Sequence, residues 1–203
     1  ADLEDYRGAI QDYNQAIEIN PNDANAYIGR GIAKADLEDY RGAIQDYNQA
    51  IEINPNDANA YSNRGIAKAD LEDYRGAIQD FNQAIEINPN YAGAYYNRGI
   101  AKADLEDYRG AIQDYNQAIE INPNYANAYS NRGIAKADLE DYRGAIQDYN
   151  KAIDINPNDA DAYSNRGIAK SSLGDKNGAC LDWSKAGELG ESKAYDLIKQ
   201  YCQ

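Results

Sequence analysis

Asparagine recurs along the chain at an interval of 34 residues, as from Asn63 to Asn97. A carboxamide carries one carbonyl acceptor and two N–H donors, which are the groups needed to pair with the main chain of an extended peptide. Near-identical duplication copies functionless residues as faithfully as functional ones, so the series is either a peptide-binding surface or a solvated polar face. We call it the asparagine ladder; it comprises Asn63, Asn97, Asn131 and Asn165.

Aspartates recur at the same interval, at Asp70, Asp104 and Asp138, and would favour lysine or arginine in a ligand. The whole chain has 34 acidic and 20 basic residues, which gives a net charge of −14. A surface this acidic repels nucleic-acid phosphates and anionic membranes. We therefore expect a neutral or basic protein or peptide as partner, and neither nucleic acid nor membrane.

The ionisable residues do not form a recognisable catalytic or metal-binding set. The sequence contains no histidine and shows no nucleophile paired with a base, so we predict no enzymatic activity, no cofactor and no metal. Its two cysteines lack CxxC spacing. Cys180 stands where Ile146 stands one repeat earlier, which predicts a buried core thiol. A disulfide between Cys180 and Cys202 is the alternative.

Proline recurs at the same interval of 34 residues and separates the predicted helical segments that carry the asparagines and aspartates. Near-verbatim sequence surrounds each proline, and self-similarity at fixed spacing is typical of a solenoid in which each unit contacts mainly its neighbours. The five prolines are Pro21, Pro55, Pro89, Pro123 and Pro157.

Each unit predicts two amphipathic helices joined by a short turn, as residues 58–91 illustrate. The first helix has one face of aromatic, small and basic residues and a second, mostly polar face. That polar face consists of Asn59, Asn63, Ile66 and Asp70. The second helix repeats apolar residues at helical spacing, at Tyr74, Ala77, Ile78, Phe81, Ala84 and Ile85. Burial of each Tyr, Phe or Ile contributes roughly 1.5–3 kcal/mol, which only stacking on the next hairpin can supply.

The repeat resembles the tetratricopeptide repeat (TPR) family over essentially the whole chain. The resemblance implies an all-α fold, an α-solenoid of antiparallel helix hairpins in a right-handed superhelix, with the first helix of each hairpin lining the concave groove. In residues 58–91 it rests on Tyr61, Gly65, Tyr74, Ala77, Phe81, Ala84 and Pro89. The peptide groove implied by it comprises Asn59, Asn63, Asp70, Asn97, Asp104, Asn127, Asn131, Asp138 and Asn165.

Two features depart from the family pattern. Arg64 and Lys68 stand where the family commonly has leucine and tyrosine, and we interpret them as structural residues that reach a carboxylate such as Asp80. Glu72 occupies the turn position where the family often has glycine. The ladder is also incomplete, because the first full unit has Gly29 at its position.

We predict one TPR array over 1–203. Residues 1–23 supply only the second helix of a repeat. In the last repeat, Trp183 replaces Tyr149 and is expected to fill the core. A capping helix follows, in which we expect Leu197 and Ile198 to turn inward. The predicted segments are 1–23, 24–57, 58–91, 92–125, 126–159, 160–191 and 192–203.

The sequence starts within a repeat and lacks methionine, so we expect a piece of a longer protein or an engineered one. The uncovered N-terminal helix predicts association of two molecules through that end. The expected function is a non-catalytic scaffold that binds an extended neutral or basic peptide in its groove, and the expected location is the cytoplasm. The alternative is a structural or engineered, self-associating repeat scaffold without a dedicated ligand.

Overall fold

The computed structural model describes residues 3–202, and within that range the regular structure consists of twelve helices without a strand. Ala1, Asp2 and Gln203, which belong to the first and last predicted segments, lie outside it. The helices are α1 (Leu3–Ile19), α2 (Ala24–Asp36), α3 (Tyr40–Ile53), α4 (Ala58–Asp70), α5 (Tyr74–Ile87), α6 (Ala92–Asp104), α7 (Tyr108–Ile121), α8 (Ala126–Asp138), α9 (Tyr142–Ile155), α10 (Ala160–Ser172), α11 (Lys176–Glu188) and α12 (Lys193–Tyr201).

The helices fall into two compact units, residues 1–105 and residues 106–203. In the first unit, α2 with α3 and α4 with α5 form hairpins, and each second helix also packs against the following first helix. In the second unit, α8 with α9 and α10 with α11 do the same, and α12 packs on α11. The predicted all-α fold of helix hairpins at a period of about 34 residues is confirmed. The division into one array with the segment boundaries given above stays a prediction.

Aspartate side chains fix where most helices begin. Asp57 accepts hydrogen bonds from the backbone N–H groups of Asn59 and Ala60 at the start of α4, and Asp73 accepts one from Gly76 N at the start of α5. A side chain at Gly76 would collide with the Asp73 carboxylate, so the cap explains this glycine.

Close helix approach explains a different glycine, Gly65 on α4. A Cβ added there would lie 2.8 Å from Phe81 Cε1, because the ring of Phe81 fills the space between the two helices of the hairpin. Phe81 is 1% exposed, and Ala77 and Ala84 on the same helix are fully buried. The absence of a side chain at Gly65 therefore lets the Phe81 ring pack directly against α4.

The turn between the two helices of a hairpin needs a left-handed residue. Glu72 adopts φ +62°, as do its equivalents Glu38 and Glu140, whereas the last repeat uses Gly174 at φ +84°. Non-glycine residues are strained in this region because Cβ approaches the following carbonyl oxygen. The chain thus carries a glutamate where glycine would be favoured.

The C-terminal end confirms two predictions and corrects a third. Trp183 is 1% exposed and donates from Nε1 to Ser164 O at 3.2 Å, so it is core filler. Helix α12 directs Leu197 and Ile198 toward the Trp183 cluster, as expected of a cap. Cys180 is not a buried free thiol: it is half-buried and joined to Cys202 by a disulfide that ties α11 to the end of α12. The error arose because Ile146 has no facing cysteine, so the repeat comparison could not reveal the pair.

None of the helices within residues 3–202 combines the length and the apolar character needed to cross a membrane.

Candidate functional site

The first helices of neighbouring hairpins contact one another. Helix α4 touches both α2 and α6 in the first unit, and α8 touches α10 in the second. Helices α2, α4, α8 and α10 also pack against the second helix of their own repeat and against that of the preceding repeat, and α6 packs against α5 of the preceding repeat. The faces of the first helices that point away from the second helices therefore form a surface. We call it the first-helix surface, and it exists separately in each unit.

The predicted groove residues lie on this surface. In the first unit, α4 carries Asn59, Asn63 and Asp70 while α6 carries Asn97 and Asp104; the two ladder asparagines are half-buried and the other three residues are exposed. In the second unit, α8 carries Asn127, Asn131 and Asp138, and α10 carries Asn165. Each unit therefore brings ladder residues of two adjacent helices onto one accessible face.

The aspartates of this set lie at the edge of the first-helix surface rather than in its middle. Asp70 lies close enough to Tyr40, at the start of the preceding second helix, to help raise the pKa of that phenol, although burial is the larger cause. Partial burial in turn raises the pKa of Asp70 itself above its usual range. Asp104 repeats this arrangement beside Tyr74. Asp70 and Asp104 thus lie both beside the first-helix surface and close to a tyrosine of the preceding repeat.

The basic residues of the first helices are bound internally. Arg64 donates from Nε and Nη2 to the two carboxylate oxygens of Asp80 at 2.9 and 2.6 Å, and Lys68 Nζ lies 2.7 Å from the same carboxylate, which is nearly fully buried. We call this arrangement the clamp. The structural interpretation of Arg64 and Lys68 is confirmed. Equivalent clamps are Arg30–Asp46–Lys34, Arg132–Asp148–Lys136 and Arg166–Asp182–Lys170.

The clamp arginine also ties one repeat to the one before it. Arg64 Nη1 donates to Asn48 Oδ1 at 2.7 Å, and its guanidinium lies 5.4 Å from the centroid of the Tyr61 ring. Sequence reasoning missed this asparagine, although its fixed distance of 16 residues from the arginine recurs in each repeat and could have identified it. The same contact joins Arg30 to Asn14, Arg98 to Asn82, Arg132 to Asn116 and Arg166 to Asn150.

The clamps change the charge that a ligand meets. Each of these clamps holds two cations of a first helix against one buried carboxylate, so the clamps withdraw more basic than acidic groups from the surface. Cations held in bidentate pairs with a buried carboxylate cannot turn toward a ligand without leaving that carboxylate uncompensated. The accessible surface is therefore more acidic than the composition alone indicates.

The second unit also has a cleft between α10 and α12 that sequence reasoning did not anticipate. We call it the end cleft. Its volume is about 430 Å³, and it contains the ladder residue Asn165. Because α12 lies outside the repeat, no earlier unit could show how it would pack. The lining consists of Asp161, Ser164, Asn165, Ile168, Glu191, Lys193, Asp196 and Leu197.

Asp161 of the end cleft lies in surroundings that disfavour a charged carboxylate. Its pKa is raised first by burial and then by the nearby carboxylates of Asp159 and Glu191, while Lys193 lowers it to a smaller extent. The acidic groups around Asp161 thus outweigh the local ammonium group. Within residues 3–202, no cluster of His, Cys, Asp and Glu has the geometry to hold a metal ion.

The sequence matches known repeat families over most of its length. One family model, described as "TPR repeat", matches at residues 1–38, 33–71, 101–140 and 135–174. Two models described as "Tetratricopeptide repeat" match residues 58–91 and 81–113. No curated protein matches the chain.

Solved structures share the architecture. The crystal structure of MamA protein is 28% identical, covers 85% of this chain and 94% of that chain, and has a TM-score of 0.74. YrrB, described as "a TPR protein with an unusual peptide-binding site", is 23% identical over 93% of this chain and 97% of that chain, with a TM-score of 0.75. PilF of Pseudomonas aeruginosa is 17% identical over 96% and 90%, with a TM-score of 0.82. At these identities, the latter two show the fold alone.

Proposed function

The chain belongs to the tetratricopeptide repeat family, and on that basis we propose that it is a non-catalytic scaffold whose first-helix surface binds an extended neutral or basic peptide. The observation that carries the proposal is the placement of Asn63 and Asn97 on the contacting helices α4 and α6, on a face left accessible by the second helices. Asparagine side chains in such a row can each accept and donate one hydrogen bond to a peptide backbone.

The charge distribution supports a neutral or basic ligand. Asp70 and Asp104 flank the ladder, and the clamps hold the first-helix cations against buried carboxylates. Nucleic acid and anionic membrane are disfavoured as partners by the same charge. YrrB, whose description mentions a peptide-binding site, supports peptide binding as a property compatible with this architecture.

Alanine substitution of the ladder tests the proposal. A peptide selected from a random library against the wild-type chain should bind the Asn63→Ala/Asn97→Ala variant at least about tenfold more weakly, since two backbone pairings are lost. The matched control is Gln45→Ala/Gln79→Ala, which removes two exposed carboxamides from second helices and should leave affinity unchanged. Failure to select any binder, or equal affinity of both variants, would contradict the proposal.

A self-associating scaffold is the second candidate, and the exposure of α1 favours it. Asp12 is exposed and Ile19 is 85% exposed, whereas the equivalent Asp46 is buried and Ile53 half-buried. A second copy could cover this face. Light scattering at high protein concentration should then show a dimer that Asp12→Lys weakens, and a strict monomer would exclude this candidate.

The cytoplasmic location expected from the sequence stays a prediction, and the Cys180–Cys202 disulfide argues against it. A disulfide such as Cys180–Cys202 persists in oxidising compartments and is reduced in the cytosol. Thiol labelling in intact source cells therefore tests the location: two reactive thiols are expected in the cytoplasm, and their absence would indicate an exported protein.

A further inference from the structure

We propose that the end cleft binds a peptide segment in which an apolar side chain lies close to a lysine or arginine. This inference rests on the proposed peptide-binding function and names the ligand chemistry for the part of the first-helix surface on α10. It assigns α12, which sequence reasoning treated only as a cap, a direct role in ligand binding.

The apolar half of the site lies between α10 and α12. Ile168 is 46% exposed and Tyr201 43% exposed, and with Leu197 and the edge of Trp183 they line a depression of about 300 Å³ that adjoins the end cleft. Ile168 and Leu197 border both depressions, so the two lie side by side. Each has the size of a ligand pocket, for which roughly 300–1,000 Å³ is typical. An apolar side chain would cover carbon surface here that is otherwise wet.

The acidic half surrounds the mouth of the same cleft. Asp161 on α10, Glu191 before α12 and Asp196 on α12 contribute three carboxylates, against the one ammonium group of Lys193. Burial and the neighbouring carboxylates disfavour the charged form of Asp161, and an added cation would counteract the repulsion between these carboxylates. Charge complementarity therefore favours a lysine or arginine in the end cleft. The adjoining apolar depression favours an apolar side chain close to that basic residue in the same peptide.

The preceding repeat provides a natural comparison. Helix α8 has Ile134, equivalent to Ile168 and 40% exposed, but it has Asn127 where α10 has Asp161. Beside α8, the position that α12 takes relative to α10 is occupied by α10 itself, the first helix of the next repeat. Asp161 thus adds a negative charge to α10, the first helix that α12 packs beside to form the end cleft. A ligand with adjacent apolar and basic groups should accordingly prefer this end of the second unit.

The packing of α12 gives the site a defined wall. Ala194 is fully buried, Tyr195 Oη donates to Gly187 O at 3.3 Å, and the Cys180–Cys202 disulfide fixes the end of the helix. A wall held at both ends limits the ordering that a ligand would otherwise have to impose, which favours binding.

Short peptides test the apolar half and the acidic half of the proposed site separately. Capped, fluorescein-labelled Ser-Leu-Gly-Lys-Ser and Ser-Lys-Gly-Leu-Ser place the two side chains on one side of an extended chain in either order. One comparison peptide replaces Lys by Glu and another replaces Leu by Ser. At least one parent peptide should bind in fluorescence anisotropy, and each replacement should weaken its binding by about tenfold.

Protein variants then locate the binding. Ile168→Gln, and Asp161→Asn combined with Asp196→Asn, should weaken the parent peptide by about fivefold or more. The matched controls are Ile134→Gln and Asp154→Asn, which change an equivalent exposed isoleucine and an exposed aspartate outside the cleft and should have no effect. A diazirine leucine in the peptide should crosslink to α10 or α12.

The outcomes separate the two proposals. Crosslinking to α4 or α6 instead, or equal weakening by Ile134→Gln, would overturn the end-cleft site while leaving the ladder proposal intact. Absence of binding by both parent peptides would also overturn it, since the ladder is tested independently with a library-selected ligand. Binding of the Glu peptide as tightly as the Lys peptide would refute the assigned charge selectivity.

Discussion

Arg64 and Asp80 face each other across one hairpin: Arg64 Nε and Nη2 donate to the two carboxylate oxygens at 2.9 and 2.6 Å. Lys68 Nζ lies 2.7 Å from the same carboxylate, and Arg64 Nη1 reaches back to Asn48 of the preceding repeat. A buried carboxylate is thereby paired, and two repeats are joined by one guanidinium. The first-helix surface is left to the asparagines and exposed aspartates because these cations are already engaged.

Removing the buried carboxylate should destabilise the array strongly. In Asp80→Asn, Arg64 loses its bidentate partner and Lys68 its only described counterion, so we expect the free energy of unfolding to fall by about 2–4 kcal/mol. Chemical denaturation followed by circular dichroism measures the change. The control Asp154→Asn removes an exposed carboxylate and should change stability by less than about 0.5 kcal/mol. Equal effects of the two substitutions would contradict a structural role for the clamp.

Replacing the left-handed glutamate should stabilise the chain. Glu72 has φ +62°, a conformation that glycine adopts without a Cβ penalty, so Glu72→Gly should raise the free energy of unfolding by about 1 kcal/mol. The reverse change, Gly174→Glu at φ +84°, should lower it by a similar amount. Thermal unfolding of both variants checks the pair. A less stable Glu72→Gly protein would show that the glutamate side chain makes a compensating contact.

Protonation of Asp70 should stabilise the folded state. Burial raises its pKa in the folded protein, so the native state binds a proton more readily than the unfolded chain, and this group's contribution to stability falls as pH rises through the raised pKa. Asp70→Asn should therefore be slightly more stable than the wild type at pH 7, and the difference should shrink toward pH 4.5. Denaturant titrations at the two pH values measure it, and a difference that grows on acidification would contradict the assignment.

Reduction of the Cys180–Cys202 disulfide should loosen α12. The bond closes a loop with a sequence separation of 22 residues, and loss of such a cross-link typically costs about 2–4 kcal/mol. Backbone amides of α12 should exchange faster after reduction or in Cys180→Ser, while those of α4 and α5 should be unchanged. The affinity of the end cleft for the Leu-Gly-Lys peptide should fall in parallel. Unaltered exchange in α12 would show that Ala194, Leu197 and Ile198 hold the helix without the bond.

The hairpin fold could be predicted because the same pattern of apolar residues recurs in every unit, so each unit independently indicates the same pair of helices. The Arg64–Asp80 pairing followed because an arginine on a core-facing side needs a carboxylate within reach. The residues that broke the repeat were the difficult ones. Cys180 was interpreted through Ile146, which has no facing partner, and the end cleft depends on how the non-repeating α12 packs. Whether the ladder binds a peptide could not be derived, because duplication copies a residue regardless of its use.

If ladder carboxamides pair with the backbone of a bound peptide, an ester substitution in that backbone should reveal the pairing. Replacing one backbone amide of a selected peptide by an ester removes an N–H donor and weakens the adjacent carbonyl acceptor. An ester at one position should weaken binding to the wild-type chain by about tenfold but have little further effect on binding to Asn63→Ala or Asn97→Ala, so that the two changes are coupled. Equal losses from the ester in the wild-type and asparagine-substituted proteins, at every position of the peptide, would contradict it.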